Sequence, residues 1–173
     1  RRHLVENDQG YNIWQLADTP CHWPADKTAL LLCDVWDKHW SRGAVERLEI
    51  MLPRMQQVVQ TLRGKGVQII HPPSDTMGFY TASPARARAQ QAPASPVPAE
   101  MEHVDPPLPV DASDDGSDTI GDESARVWSR QHPAIAIDDE RDIVTDRGPE
   151  VYSYMRYRGI EHLLIMGVHT NMC

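Results

Sequence analysis

A carboxylate and a thiol each follow a short apolar run in this 173-residue chain. Asp34 lies at the end of residues 28–35 (TALLLCDV), and Cys173 follows residues 162–168 (HLLIMGV) after His169-Thr170-Asn171-Met172. A cysteine sulfur attacks carbonyl carbon as the thiolate. A carboxylate within reach can take its proton and later return it to a leaving group. A helix beginning at Cys173 would favour the thiolate through its dipole, and N–H groups of the preceding turn could hold an oxyanion. Each residue alone has an ordinary role, apolar packing for a cysteine and a turn or cap for an aspartate. The chemistry is suggested by the pair.

Other side chains group around the same runs. Trp36, Trp40, Phe79 and Tyr80, with His71, are candidates for a pocket wall, since small-molecule sites are mostly apolar with a few placed polar groups. Asp37, His39, His71 and Asp75 offer a mixed nitrogen and oxygen set for a metal. They read more simply as polar loop residues with capping roles, and no metal or other cofactor is expected. Arg130 or His132 could bind a carboxylate, Arg as a bidentate fork, although the plainer reading is a solvated approach to a strand. Asp111, Ser113, Asp115, Gly116, Thr119 and Asp122 match the spacing of a calcium loop, but Pro106, Pro107 and Pro109 forbid the flanking helix.

The two chemical residues need elements that bring them together. Residues 28–35 read as a buried parallel strand. Residues 44–63 carry Val45, Leu48, Leu52, Met55, Val59 and Leu62 on one helical stripe. Pro53 within it predicts a kink or a second helix. Gly64 and Gly66 end that helix, residues 67–70 (VQII) form the next strand, and His71-Pro72-Pro73 stops it. This is a strand–helix–strand crossover. Residues 134–137 (AIAI) predict another strand, residues 149–158 a short helix closed by Gly159, and residues 162–168 a further buried strand. The expectation is an α/β protein with a doubly wound, mostly parallel sheet, which places sites at the carboxyl ends of its strands.

One domain over 1–173 is expected, with an N-terminal extension at about 1–26. Residues 82–124, rich in Ala, Pro, Ser and Asp and without a sustained period, predict a lid, a subunit-contact arm or a partly disordered segment. The chain stops beside its best candidate site, so later residues are expected to exist. No apolar run approaches the ~18 residues that span a bilayer, so membrane insertion is not expected. The net charge of -8, without a Lys/Arg-rich face, argues against nucleic acid as a partner. Three cysteines suit reduced thiols and a cytoplasmic location better than a disulfide framework. The Arg1-Arg2 start, without a Met or an apolar h-region, is also compatible with a removed leader.

Residues 29–34 (ALLLCD) resemble the strand and catalytic Asp that open isochorismatase-like cysteine hydrolases. Gly159-Ile160 followed by residues 163–173 (LLIMGVHTNMC) resembles their later element, which ends in the nucleophilic cysteine. The roughly 140 residues between Asp34 and Cys173 suit the same pattern. The resemblance implies a three-layer α/β/α fold with strand order 3-2-1-4-5-6. It implies hydrolysis of a C–N bond of a small molecule through an acyl-cysteine, with Cys173 as nucleophile and Asp34 as acid/base. It further implies a cis peptide between Val168 and His169, N–H groups of His169 and Cys173 at the oxyanion, and a homo-oligomer.

The chain departs from that family in one position of chemical weight. The family triad includes a Lys on the strand before the 149–158 helix, and counting back from Gly159 puts its place near Glu140 or Asp142. An acidic residue there would raise a thiol pKa rather than lower it. Lys38 and Arg141 are the candidate replacement cations. The alternative is an impaired relative that binds a small ligand or serves as an oligomeric scaffold. A metal-assisted hydrolase built on Asp37, His39 and His71 is a third possibility. The metal-binding loop of the nicotinamidase branch is not matched, because residues 71–75 (HPPSD) keep only one His and one Asp of its set.

Overall fold

The computed structural model describes residues 2–16, 18, 20–99, 101, 117 and 119–169. Three apolar runs, β3 (Thr28–Cys33), β4 (Gln68–His71) and β6 (His162–Gly167), join the two-residue β5 (Ile143–Val144) in one sheet of order β5-β4-β3-β6. Every pairing is parallel. A parallel strand is covered on both faces, which is why these segments read as near-continuous apolar runs rather than alternating ones. Leu30, Leu32 and Ile69 face helix α1 (Arg42–Gly64) through Leu48, Leu52, Met55 and Val59. Ala29, Ile70 and Ile143 face α2 (Pro84–Gln91) and α3 (Gly148–Arg158) through Ala89, Val151 and Tyr154. The chain is therefore α/β, with a four-stranded parallel sheet flanked by helices.

Helix α1 is continuous through Pro53, where a kink or a second start was expected. Its N-terminus is well satisfied. Ser41 Oγ accepts from Ala44 N, Asp122 Oδ2 from Arg42 N and Thr119 Oγ1 from Gly43 N, so the orphan amides of the first turn are used. Thr119 and Asp122 are thus helix caps, and residues 111–116 of the calcium-like spacing lie outside the described residues. Gly66, at φ 91, turns the chain from α1 into β4.

One expected strand is absent, and two segments whose structure the sequence left open form regular elements. Residues 134–137 are not a strand. Ile135 is buried against α1, and the neighbouring backbone groups bond side chains: Gln131 Nε2 to Ile135 O, Ala136 N to Gln56 Oε1 and Arg63 to Ala136 O. The strand is Ile143–Val144 instead. Within 82–124, Pro84–Gln91 is a helix with Pro in its first turn, capped by Ser83, whose Oγ accepts from Arg86 N. Within the N-terminal extension, β1 (Arg2–Glu6) and β2 (Asn12–Leu16) form an antiparallel hairpin, turned through Gly10 at φ 81. Among the described residues no helix is long and apolar enough to cross a membrane.

Candidate active site at the carboxyl ends of β3 and β6

The parallel pairing of β3 with β6 puts both carboxyl ends at one rim, with Cys33 opposite Gly167. The backbones approach closely there. A Cβ on Gly167 would lie 2.0 Å from the carbonyl oxygen of Cys33, so only glycine admits the contact. Val168 N then donates to Cys33 O at 3.1 Å, and the Val168–His169 peptide bond is cis. The chain therefore leaves β6 directly beside Asp34. Cys173, four positions after His169 in the sequence, lies outside the described residues.

Asp34 is 6% exposed and left-handed, at φ 49, a conformation that aspartate tolerates better than most residues. Its Oδ1 accepts the Ser74 amide at 2.9 Å, which ties the end of β3 to the loop after β4. Its Oδ2 is 3.7 Å from Cys33 Sγ. Asp34 borders a cleft with Lys38, His39, Leu48, His132, Val168 and His169. Lys38 is exposed and forms no ion pair among the described residues. His169 is shifted below the ordinary histidine range by burial and by Arg47, with Asp34 pulling the other way.

The far wall comes from the loop at 128–132, hydrogen-bonded to the end of β3. Asp37 N donates to Arg130 O at 2.9 Å and His132 N to Val35 O at 2.7 Å. Burial acts to raise the Asp37 pKa, but bonds from Ser129 Oγ and N and from Arg130 N bring it below its usual value. Trp36, 7% exposed, stacks on Trp128 at 4.1 Å and donates its Nε1 proton to Ser74 O. Trp128 Nε1 is the one buried side-chain polar atom among the described residues without a hydrogen bond. His132 accepts the Ala134 amide at Nδ1, so its Nε2 proton points to Glu49 Oε1 at 3.2 Å.

Of the expected pocket residues, Trp36 lines the cleft. Trp40 is half-buried against His39 behind it. Phe79 is 57% exposed beneath Arg130. Tyr80 is buried, its hydroxyl accepting from Gln131 N, and burial raises its pKa. His71 is 0% exposed inside the fold. It lies between Gln131 Oε1 at 2.7 Å and Asp142 Oδ2 at 3.0 Å. Gln131 Nε2 already donates to Ile135 O, so its oxygen accepts from His71.

The metal set does not gather. His71 is committed to that network, Asp37 braces Ser129, and Asp75 N donates to Asp146 Oδ2 while its carbonyl accepts from Arg126. Among the described residues no group of three His, Cys, Asp or Glu is arranged to hold a metal ion.

The two candidate cations part company. Lys38 is at the cleft, whereas Arg141 pairs with Asp138 at 2.8 Å before β5 begins, at the amino-terminal end of the sheet. Glu140 and Asp142 precede β5 as well. Thr145-Asp146 follow the carboxyl end of that strand. Sequence reasoning passed over the brace Arg86–Glu150–Thr145, which fixes this strand end to α2 and α3. The sequence feature that could have signalled the helix carrying Arg86 is the Ser83-Pro84 start. No protein-family model matches the chain, and no curated protein matches it either.

Proposed function

We propose that the chain is a cysteine-dependent hydrolase of a small amide or related C–N bond. The observation that carries this reading is that Asp34 and the Val168–His169 turn leading to Cys173 border one cleft at the carboxyl end of a parallel sheet. Counted along the chain, the four sheet strands stand in the order 3-2-1-4, which supports the isochorismatase-like topology. In the reaction Cys173 Sγ attacks the substrate carbonyl carbon and its proton passes to Asp34. The tetrahedral oxyanion collapses, the C–N bond breaks and Asp34 returns the proton to the departing nitrogen. Water then hydrolyses the thioester, frees the acid and restores the thiol.

Lys38 is the cation available to favour the thiolate, since the end of β5 carries Asp146. That acidic residue is also the observation favouring the second reading, an impaired relative that binds a small ligand or acts as an oligomeric scaffold. Iodoacetamide near neutral pH separates the two. The hydrolase is expected to be alkylated at Cys173 at least about tenfold faster than at exposed Cys21 or half-buried Cys33. Asp34→Asn should remove that preference. Equal, slow labelling of all three thiols would exclude the hydrolase.

A further inference from the structure

One donor in the cleft is unused by the proposed chemistry and is fixed by its neighbours. His39 Nδ1 accepts the Ser41 amide at 3.1 Å, so in the neutral ring the proton resides on Nε2. Ser41 is the N-cap of α1, and the positive end of a helix dipole opposes a second proton on a nearby ring. Burial and His169 press His39 below the ordinary histidine range, against the opposite pull of Asp122. The ring cannot swing freely. It lies 5.9 Å from Trp36 and 5.8 Å from Trp128 in near-parallel planes, with Trp40 at 5.1 Å and His169 at 4.7 Å. Among the described residues Nε2 has no hydrogen-bond partner, yet it is not among the sealed polar atoms. The ring borders the cleft with Asp34.

We propose that His39 is a substrate-positioning residue whose neutral Nε2–H donates a hydrogen bond to a carbonyl oxygen of the molecule bound beside Asp34. A donor held in one tautomer and one orientation selects for an oxygen acceptor, because a ligand without one leaves the N–H desolvated and unpaired. The site then takes small carbonyl compounds rather than apolar molecules of the same shape. The identity of the bound molecule as an amide substrate rests on the hydrolase reading, whereas the tautomer and the donor do not.

Acetamide serves as the probe with the full chain. Long-range nitrogen–proton spectra at pH 7 should show His39 protonated at Nε2 alone, and acetamide should shift that resonance while leaving His71 unmoved. His39→Phe keeps the stacked ring and removes the donor. His39→Gln returns an N–H near the place of Nε2. The half-saturation concentration for iodoacetamide at Cys173 should rise about tenfold or more in H39F with the limiting rate unchanged, and return to within about threefold in H39Q. Protonation at Nδ1, a doubly protonated ring, or an acetamide titration that leaves Nε2 unshifted would overturn the proposal, as would an unaltered half-saturation in H39F. If wild-type Cys173 labels no faster than the other thiols, the hydrolase reading fails and the acetamide shift alone decides for or against His39.

Discussion

Asp34 combines two demands that a substitution can separate. Its backbone is left-handed and its Oδ1 receives the Ser74 amide, so the residue shapes the rim as well as supplying a carboxylate. Asn tolerates the same backbone and can still accept at Oδ1, but takes up no proton from a thiol. Asp34→Asn is therefore expected to stay within about 1 kcal/mol of the parent in urea unfolding while losing selective Cys173 labelling. Asp34→Val should cost about 2 kcal/mol more, because a β-branched residue at positive φ is strained and the Ser74 amide loses its acceptor. A large stability loss in the Asn variant would mean that the charge itself builds the rim.

At the scale of elements, close approach decides where the chain leaves β6. Gly167 lets the β6 backbone press against Cys33, and any side chain there meets the Cys33 carbonyl. Gly167→Ala must push β6 away from β3, at a cost of about 1–3 kcal/mol or more, and displace the Val168–His169 turn. Slower Cys173 alkylation together with a lower urea midpoint is the expected result, and a parent-like midpoint would contradict it.

The strands β3, β4 and β6 and helix α1 were legible because each carries its own apolar pattern. The AIAI segment misled because apolar content does not state how backbone groups are satisfied, and here side chains satisfy them, Gln131 locally and Gln56 and Arg63 from α1. Helix α2 buries Ala85, Ala89 and Arg86 and is held by the Arg86–Glu150 pair, a long-range partnership no local window reveals. In the site, the strand-end positions of Asp34 and His169 followed from the pattern. The burial of His71 and the remoteness of Arg141 did not, since both depend on where the short β5 starts.

Across the whole molecule, one buried network joins the parts that must not slip. Asp142, with its side chain 1% exposed, receives Arg63 from α1 and His71 from β4, and its backbone carbonyl receives Arg88 from α2. His71 passes the connection through Gln131 to the loop that walls the cleft. Burial acts to raise the Asp142 pKa, but the bonds from His71 and Arg63 outweigh it and bring the pKa below its usual value. The sign follows from proton uptake. The unfolded chain takes up the Asp142 proton near pH 3.9 and the folded chain takes it up lower, so this stability is present above about pH 3.9 and is lost as pH falls through the folded value. His39 and His169 are likewise held low. The unfolded chain protonates them near pH 6.5 before the folded one does, so their share is full above about pH 6.5 and declines below it. Urea unfolding at stepped pH should therefore show two separate declines. Asp37 and Glu150, also held low, contribute to the lower one as well. Asp142→Asn should shrink it and cost about 3–5 kcal/mol at pH 7, since it leaves the largely buried Arg63 without its carboxylate. The upper decline, set by rings at the cleft, should survive that substitution and shrink in His39→Phe. A single decline abolished by either variant would mean that the cleft and the network titrate as one unit.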